Sequence, residues 1–287
     1  AAALAKLGGV GIIHRFMSIE DQVSNVLLAQ QESPSFSISS AAIGVNGDFE
    51  KRAAELVKNG VHVLVIDVAH GHHRHVKNAM KYLFQYKQNG VDIVAGSIAT
   101  ADAAMDLTEW GADALRVGVG GGSVCETRVR TGVGVPQLQS VIETSKASNI
   151  PIISDGGIRY PGDAAKALAA GASTVMIGSL FAGTDEAPGE LFVAGQWPNH
   201  KNYKVYRGLA SATTKLKHKG IAEHVEGASK MIECRGSVSQ IVSDLLNGIT
   251  SAMSYVGASN LVEFRQNTQF MKVTSAGLNE AHPHLLR

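Results

Sequence analysis

Cys125 ends the run Leu115-Arg-Val-Gly-Val-Gly-Gly-Gly-Ser-Val-Cys125, followed by Glu126-Thr127, and the chain has only one other cysteine, Cys234. The apolar stretch and the glycines after it describe a strand that opens into a loop. Glycine lets backbone approach a ligand closely and take positive φ. A thiol in such a place is a nucleophile when dipoles or cations lower its pKa. The alternative is a small buried apolar side chain, and the strand–loop context favours the nucleophile. Asp155-Gly156-Gly157 and Gly178-Ser179 also follow apolar runs. Loops of that kind grip a phosphate with backbone N–H groups and a hydroxyl, without a lysine, or are turn chemistry alone. Asp67 and Asp155 each close an apolar run, where a carboxylate accepts hydrogen bonds from a ribose diol or caps a turn. His70, His72, His73 and His75 crowd one segment, but the carboxylate and thiolate that would complete a metal site are not at close spacing. A surface or cofactor-side cluster is therefore expected there rather than a metal. Gly118-Val-Gly120-Gly-Gly122 has only a loose likeness to a dinucleotide loop, since no helix and downstream acid follow in register.

The elements that must carry these residues alternate. Residues 9–14, 36–43, 61–67, 91–95, 114–118, 151–155 and 173–178 read as strands, and residues 19–30, 49–59, 76–86, 100–110, 136–147 and 162–170 as helices. Alternating β and α units predict a parallel sheet with helical crossovers. Continuous apolar runs such as His62-Val-Leu-Val-Ile-Asp67 suit strands buried on both faces. Polar residues and glycines follow nearly every strand, which is the pattern of the active face of a (β/α)8 TIM barrel. Seven strands are one short of a barrel, so the first βα unit is expected to be missing; a doubly wound sheet is the competing architecture. After Leu180 the rhythm breaks into Pro188, Pro198 and the basic run Lys215-Leu-Lys217-His218-Lys219. That stretch, about residues 195–235, predicts a lid over the site or a solvated surface. A helix returns over 237–256, and 236–287 forms a C-terminal helix and tail.

The bulk numbers set limits. At 287 residues, 45% hydrophobic and 18% charged, the chain is globular, and one catalytic domain over 1–287 with no inserted regulatory domain is expected. A formal net charge of +1 offers no general attraction to nucleic acid or membrane. No apolar run approaches bilayer-spanning length, and two cysteines suggest no disulfide framework, so the expected compartment is the cytoplasm.

The run Gly118–Arg128, followed by Thr131-Gly-Val-Gly-Val-Pro-Gln137, resembles the IMP dehydrogenase / GMP reductase family from about residue 8 onward. Supporting matches are Asp67-Val-Ala-His-Gly-His72, Ser154-Asp-Gly-Gly157, Gly171–Ser179, Glu186-Ala-Pro-Gly-Glu190 and Tyr206-Arg-Gly208. The resemblance implies that Cys125 adds to C2 of the purine, that Thr127 positions substrate or water, and that Glu226 contacts the base or moves a proton. It implies a substrate grip from Ser123, Asp155, Gly156, Gly157, Gly178, Ser179, Tyr206 and Gly208, with Asp155 on the ribose. Asp67, Ala69, Ser97 and Arg116 fall at dinucleotide-contact positions. Carbonyls of Gly120, Gly122 and Cys125, with Glu280, Ala281 and His282 of a neighbouring subunit, resemble a potassium site and imply a homotetramer.

The chain departs from the family pattern at Gly121, where proline is usual, at Ser97, where asparagine is expected, and at Leu209-Ala210, where Met-Gly is usual. No Arg-Tyr pair lies between Tyr206 and Glu226, and the short segment 217–224 is more like GMP reductase. Val135, His70 and the ending 276–284 are similar to the dehydrogenases. The resemblance therefore implies oxidation of IMP to XMP with NAD. The alternatives are reduction of GMP with NADPH, or a catalytically silent nucleotide-binding barrel.

Overall fold

The computed structural model describes residues 1–33, 38–195, 199–208, 211, 225 and 227–283. Seven strands form one all-parallel sheet: β1 (Ile12–Ile13), β2 (Ser40–Ile43), β3 (Val63–Ile66), β4 (Asp92–Ile98), β5 (Ala114–Val117), β6 (Ile152–Asp155) and β7 (Thr174–Met176). Their order in space is their order in sequence. A doubly wound sheet reverses its order at a switch point, so that alternative is excluded and the architecture is the α/β barrel type. Short β-branched runs fill the strands; Leu64, Ile66, Ile93, Ile98, Leu115 and Ile152 are almost wholly buried, as strands covered on both faces require.

Helices cover the outside. In chain order they are α1 (Ala2–Lys6), α2 (Ile19–Glu32), α3 (Phe49–Lys58), α4 (Arg74–Lys87), α5 (Ala101–Glu109), α6 (Thr127–Thr131), α7 (Gln137–Ala147), α8 (Pro161–Ala169), α9 (Ser179–Ala182), α10 (Val238–Tyr255), α11 (Leu261–Asn267) and α12 (Ser275–Glu280). The starts follow local chemistry. The side chains of Ser18, Thr100 and Asn260 accept from the N–H groups three residues on, and Pro161 opens α8. β1 and β7 are the edges of the sheet, and α1 packs against both α2 and α10 across that seam.

The stretch after Leu180 contains a second sheet that the sequence reading did not anticipate. β8 (Phe192–Ala194), β9 (Lys201–Arg207) and β10 (Ser229–Glu233) make a separate antiparallel sheet in the order β10-β9-β8. The alternation in Lys201-Asn-Tyr-Lys-Val-Tyr-Arg207 is the signal that the prolines and glycines around it obscured. Residues 209–210, 212–224 and Glu226, which include the basic run and the segment without an Arg-Tyr pair, lie outside the described residues.

Candidate active site

Because the seven strands are parallel, their C-terminal ends share one rim. Asp67 follows β3, Ser97 lies in the last turn of β4, the Gly118–Cys125 loop follows β5, Asp155 ends β6, and Gly178-Ser179 follows β7. The residues that the sequence pointed to are thereby brought to one end of the fold.

The thiol sits on a built loop. Cys125 is exposed, and its Sγ lies 3.2 Å from Thr127 Oγ1. Gly122 C=O accepts from Cys125 N–H at 3.0 Å, closing the turn. Arg128, in α6, pins the loop from behind: Nε and Nη2 donate to Val119 C=O at 3.1 and 3.0 Å, and Nη2 donates to Val135 C=O at 2.6 Å. The stem of Arg128 occupies the space that a side chain at Gly120 or Gly134 would need, at 2.6 Å in each case. Gln137, at the start of α7, donates to Val117 C=O at 2.8 Å and Ser154 Oγ at 3.1 Å, joining β5 to β6. On the other side the returning excursion clips on. Cys125 bridges to Gly227, Ala228 N–H donates to Val124 C=O at 2.8 Å, and Gly208 N–H donates to Ala228 C=O at 3.0 Å.

The glycine turn after β6 packs on that loop. A Cβ at Gly156, whose φ is +95°, would sit 2.8 Å from the carbonyl carbon of Gly121, so only glycine allows the two backbones to meet. Across the rim, Tyr206 of β9 reaches Gly178, where a Cβ would stand 2.6 Å from the phenol oxygen. Burial raises the pKa of Tyr206, a hydrogen bond with Ser123 lowers it, and nearby Asp155 raises it again. Ser123, Tyr206 and Gly178 therefore converge, with Gly157 at the end of the neighbouring strand. These are neutral groups at positions for which the resemblance implies a substrate grip.

Asp67 and Asp155 are tied together by Arg116 of β5. Nη2 lies 2.9 Å from Asp67 Oδ1 and Nη1 lies 3.0 Å from Asp155 Oδ2; the three side chains are 12%, 25% and 10% exposed in the order Asp67, Asp155, Arg116. Gly96 makes room, since a Cβ there would be 2.7 Å from Arg116 Cβ. Arg15, two residues past β1, donates to Asp67 C=O at 3.2 and 3.0 Å and places Nε 3.8 Å from Asp67 Oδ2. Burial raises the pKa of Asp155, Arg116 opposes that, and Asp67 adds to it. Sequence reasoning gave no role to Arg15, Arg128 or Gln137. A basic residue directly after a strand was the available signal for Arg15.

The remaining expectations are placed as follows. Ser97 is buried and its carbonyl accepts from Gly71 N–H at 2.7 Å, which lays the Asp67–His73 loop beside β4; Ala69 is exposed on that loop. His72 pairs with Asp106 at 2.8 Å and His73 stacks on His75, with ring centroids 4.9 Å apart. Among the described residues no group of three or more His, Cys, Asp or Glu is arranged to hold a metal ion. Glu280, Ala281 and His282 lie at the end of α12, where the hydrogen bonds among the described residues stay within the segment and do not join it to Gly120 or Gly122 of the same chain.

A sequential parallel α/β barrel sheet thus carries at one rim an exposed thiol, a cluster of glycine turns with Ser123 and Tyr206, and two partly buried carboxylates on one arginine. The profile of the IMP dehydrogenase / GMP reductase domain matches residues 1–284. Inosine-5'-monophosphate dehydrogenase of Nitrosopumilus maritimus is 42% identical over 293 residues, covering 96% of this chain and 60% of that protein. The enzyme of that name from Mycobacterium tuberculosis is 42% identical over 303 residues, covering 98% and 56%. A crystal structure of a GMP reductase variant from Trypanosoma brucei with guanosine 5'-monophosphate superposes with a TM-score of 0.80 at 42% identity, covering 85% of this chain and 52% of that one. The chain belongs to the IMP dehydrogenase / GMP reductase family. It spans 60% or less of the length of these relatives.

Proposed function

We propose that this chain oxidises IMP to XMP with NAD through a covalent bond to Cys125. The observation that carries the reading is the Cys125–Thr127 pair at 3.2 Å, on a loop packed against the Asp155-Gly156 turn. The relatives named as IMP dehydrogenases support it. The thiolate of Cys125 adds to C2 of the purine while Ser123, Gly157, Gly178, Ser179 and Tyr206 hold the phosphate and Asp155 accepts from the ribose hydroxyls. Such fixed placement replaces a bimolecular encounter. Bound NAD supplies the acceptor for the hydride that leaves C2, since no side chain carries hydride. Loss of hydride leaves a thioimidate on Cys125, which water hydrolyses to XMP with release of the thiol. The sum is IMP, NAD and water giving XMP, NADH and a proton. Thr127 holds the sulfur's neighbourhood in place, and Glu226 is assigned the proton transfer.

The residues fit the dinucleotide. Asp67 commits one oxygen to Arg116, leaving acceptor capacity for a ribose diol, and Gly71 lies so close to Gly96, at 2.8 Å for a Cβ, that the loop offers backbone there. Ala69 and Ser97 flank that position. Potassium fits the carbonyls of Gly120, Gly122 and Cys125, oxygen donors of the kind a hard cation prefers, completed by Glu280, Ala281 and His282 of a neighbouring subunit in a homotetramer. No helix among the described residues is long and apolar enough to cross a membrane, and the cytoplasm is the proposed compartment.

The second reading, reduction of GMP with NADPH, is favoured by the likeness to the GMP reductase structure and by the short segment after Tyr206. A paired assay separates them: IMP with NAD against GMP with NADPH, each with potassium, followed by nicotinamide absorbance. NADH formed only from IMP supports the dehydrogenase. NADPH consumed only with GMP overturns it.

A further inference from the structure

Arg116 lies under the rim and touches neither the thiol loop nor the phosphate grip, yet it makes two short ion pairs at once. Its two terminal nitrogens reach Asp67 on one side and Asp155 on the other. Its Nε is buried without a hydrogen-bond partner, so the two carboxylates alone orient the guanidinium. The charged and titratable groups that meet here are Arg15 beyond β1, Asp67 beyond β3, Arg116 on β5, Asp155 on β6 and Tyr206 on β9.

We propose that Arg116 is the shared counter-ion of Asp67 and Asp155, a positioning residue that orients both carboxylates on one guanidinium and so couples the two pockets they serve. The functional meaning rests on the reading that Asp155 meets the ribose of the nucleotide and Asp67 that of the dinucleotide. A planar fork with several donors can serve two carboxylates together, whereas an ammonium acts as a point charge on one. Two carboxylates sharing a poorly solvated site without a cation do not both stay ionised; one takes up a proton and the pair titrates as a unit. The pKa of Asp155 stands raised: burial drives it up, Arg116 pulls it part of the way back, and Asp67 adds to the rise, so losing Arg116 should lift it further. A protonated Asp155 presents a donor and a weaker acceptor, the wrong partner for a diol that must donate to it. Arg116 thus opposes proton uptake at Asp155 while fixing where both carboxylates point.

The test is made first on the full ligand-free protein, so it does not depend on the reaction assigned above. Infrared pH titration follows the protonated-carboxyl C=O stretch of Asp155, identified by its loss in Asp155→Asn. In Arg116→Met the midpoint should rise by about 1–3 units, tenfold or more in proton affinity. Adding Asp67→Asn should return most of that rise, because the like charge is gone. Arg116→Lys should fall between the parent and Arg116→Met, and it carries the test alone should Arg116→Met fail to fold. An unmoved midpoint in both variants overturns the proposal. So does an effect of Asp67→Asn that is the same with and without Arg116; a purely structural Arg116 would lower stability and leave the midpoint in place. IMP binding by the same variants is measured separately. Arg116→Met should release IMP at a pH where the parent holds it, and Asp67→Asn should restore it. A parent that binds no IMP would overturn the assigned reaction while the carboxyl titration still decides the role of Arg116.

Discussion

Replacing Lys204 with methionine isolates a contact on which the second sheet depends. Lys204 sits mid-strand in β9, 5% exposed, and its Nζ donates to Thr184 C=O at 2.7 Å, Ala187 C=O at 2.7 Å and Asp185 C=O at 3.4 Å. Methionine keeps the length of the stem and removes every donor. Each of the two short bonds leaves an acceptor unpaired at about 1–3 kcal/mol, or about 2–6 kcal/mol together, and the long third bond adds little. Relief from burying an ammonium offsets part of that loss, leaving about 2–4 kcal/mol of destabilisation. Urea unfolding of the full protein measures it as a lower midpoint at unchanged slope. A second readout follows from strand geometry. Tyr206 is two residues on and projects from the same face as Lys204, and Glu186 Oε2 accepts from Val238 N–H at 2.8 Å at the start of α10. If Tyr206 holds the phosphate as proposed, slackening the 184–187 turn should therefore weaken nucleotide binding several-fold. A stability change below about 0.5 kcal/mol, the range of ordinary surface substitutions, would refute the reasoning and mean that water replaces the ammonium without loss.

Gly118→Ala should unfold readily: φ is +148°, a Cβ would collide with Asp155 C=O and stand 2.8 Å from Gln137 Oε1, and overpacking of this kind costs about 1–3 kcal/mol, read as a fall in thermal midpoint. Tyr206→Phe should leave the fold intact and raise the Kd for IMP, because it removes the hydroxyl that meets Ser123 and Gly178; an unchanged Kd would take Tyr206 out of the grip. Asp163 is partly desolvated, but hydrogen bonds from Arg159 and Lys166 win and hold its pKa below the usual carboxylate range. The stability it contributes is present above the unfolded carboxylate pKa and is lost as pH falls toward the lowered one. Asp163→Asn should thus narrow the gap in stability between neutral and acid pH, measured as thermal midpoint against pH; a constant difference at every pH would refute the pairing.

The strand positions were legible because buried parallel strands announce themselves as short apolar runs, as in Val-Leu-Val-Ile at 63–66 and Ile-Ile at 152–153. Boundaries were less so. β4 runs on through Gly96 and Ser97 to Ile98, where a glycine read as the beginning of a loop; its lack of a side chain admits Arg116 instead. The rim residues were legible one by one, each from its place after a strand. Their connections were not. Asp67, Arg116 and Asp155 belong to three strand ends, 49 and 39 residues apart for the two ion pairs, and only closure of the sheet reveals that one guanidinium spans them. The β8–β10 sheet was missed because half-exposed antiparallel strands alternate and lack the continuous apolar signal of the barrel strands.

The sequential order of β1 to β7 also bears on how the chain is made. Each strand of the large sheet hydrogen-bonds to the one before it, so every βα unit has its partner already synthesised when it emerges, and assembly can follow translation from one end to the other. The β9–β10 pairing keeps the same habit, joining Arg207 to Ser229, but the return segment also reaches back to the loop after β5. Clipping the return segment onto Val124 and Cys125 therefore has to wait until all seven strands of the large sheet have been made. The loop that ends at Cys125 is thus framed on its second side only once residues 227–228 have been made, about a hundred residues after the loop itself.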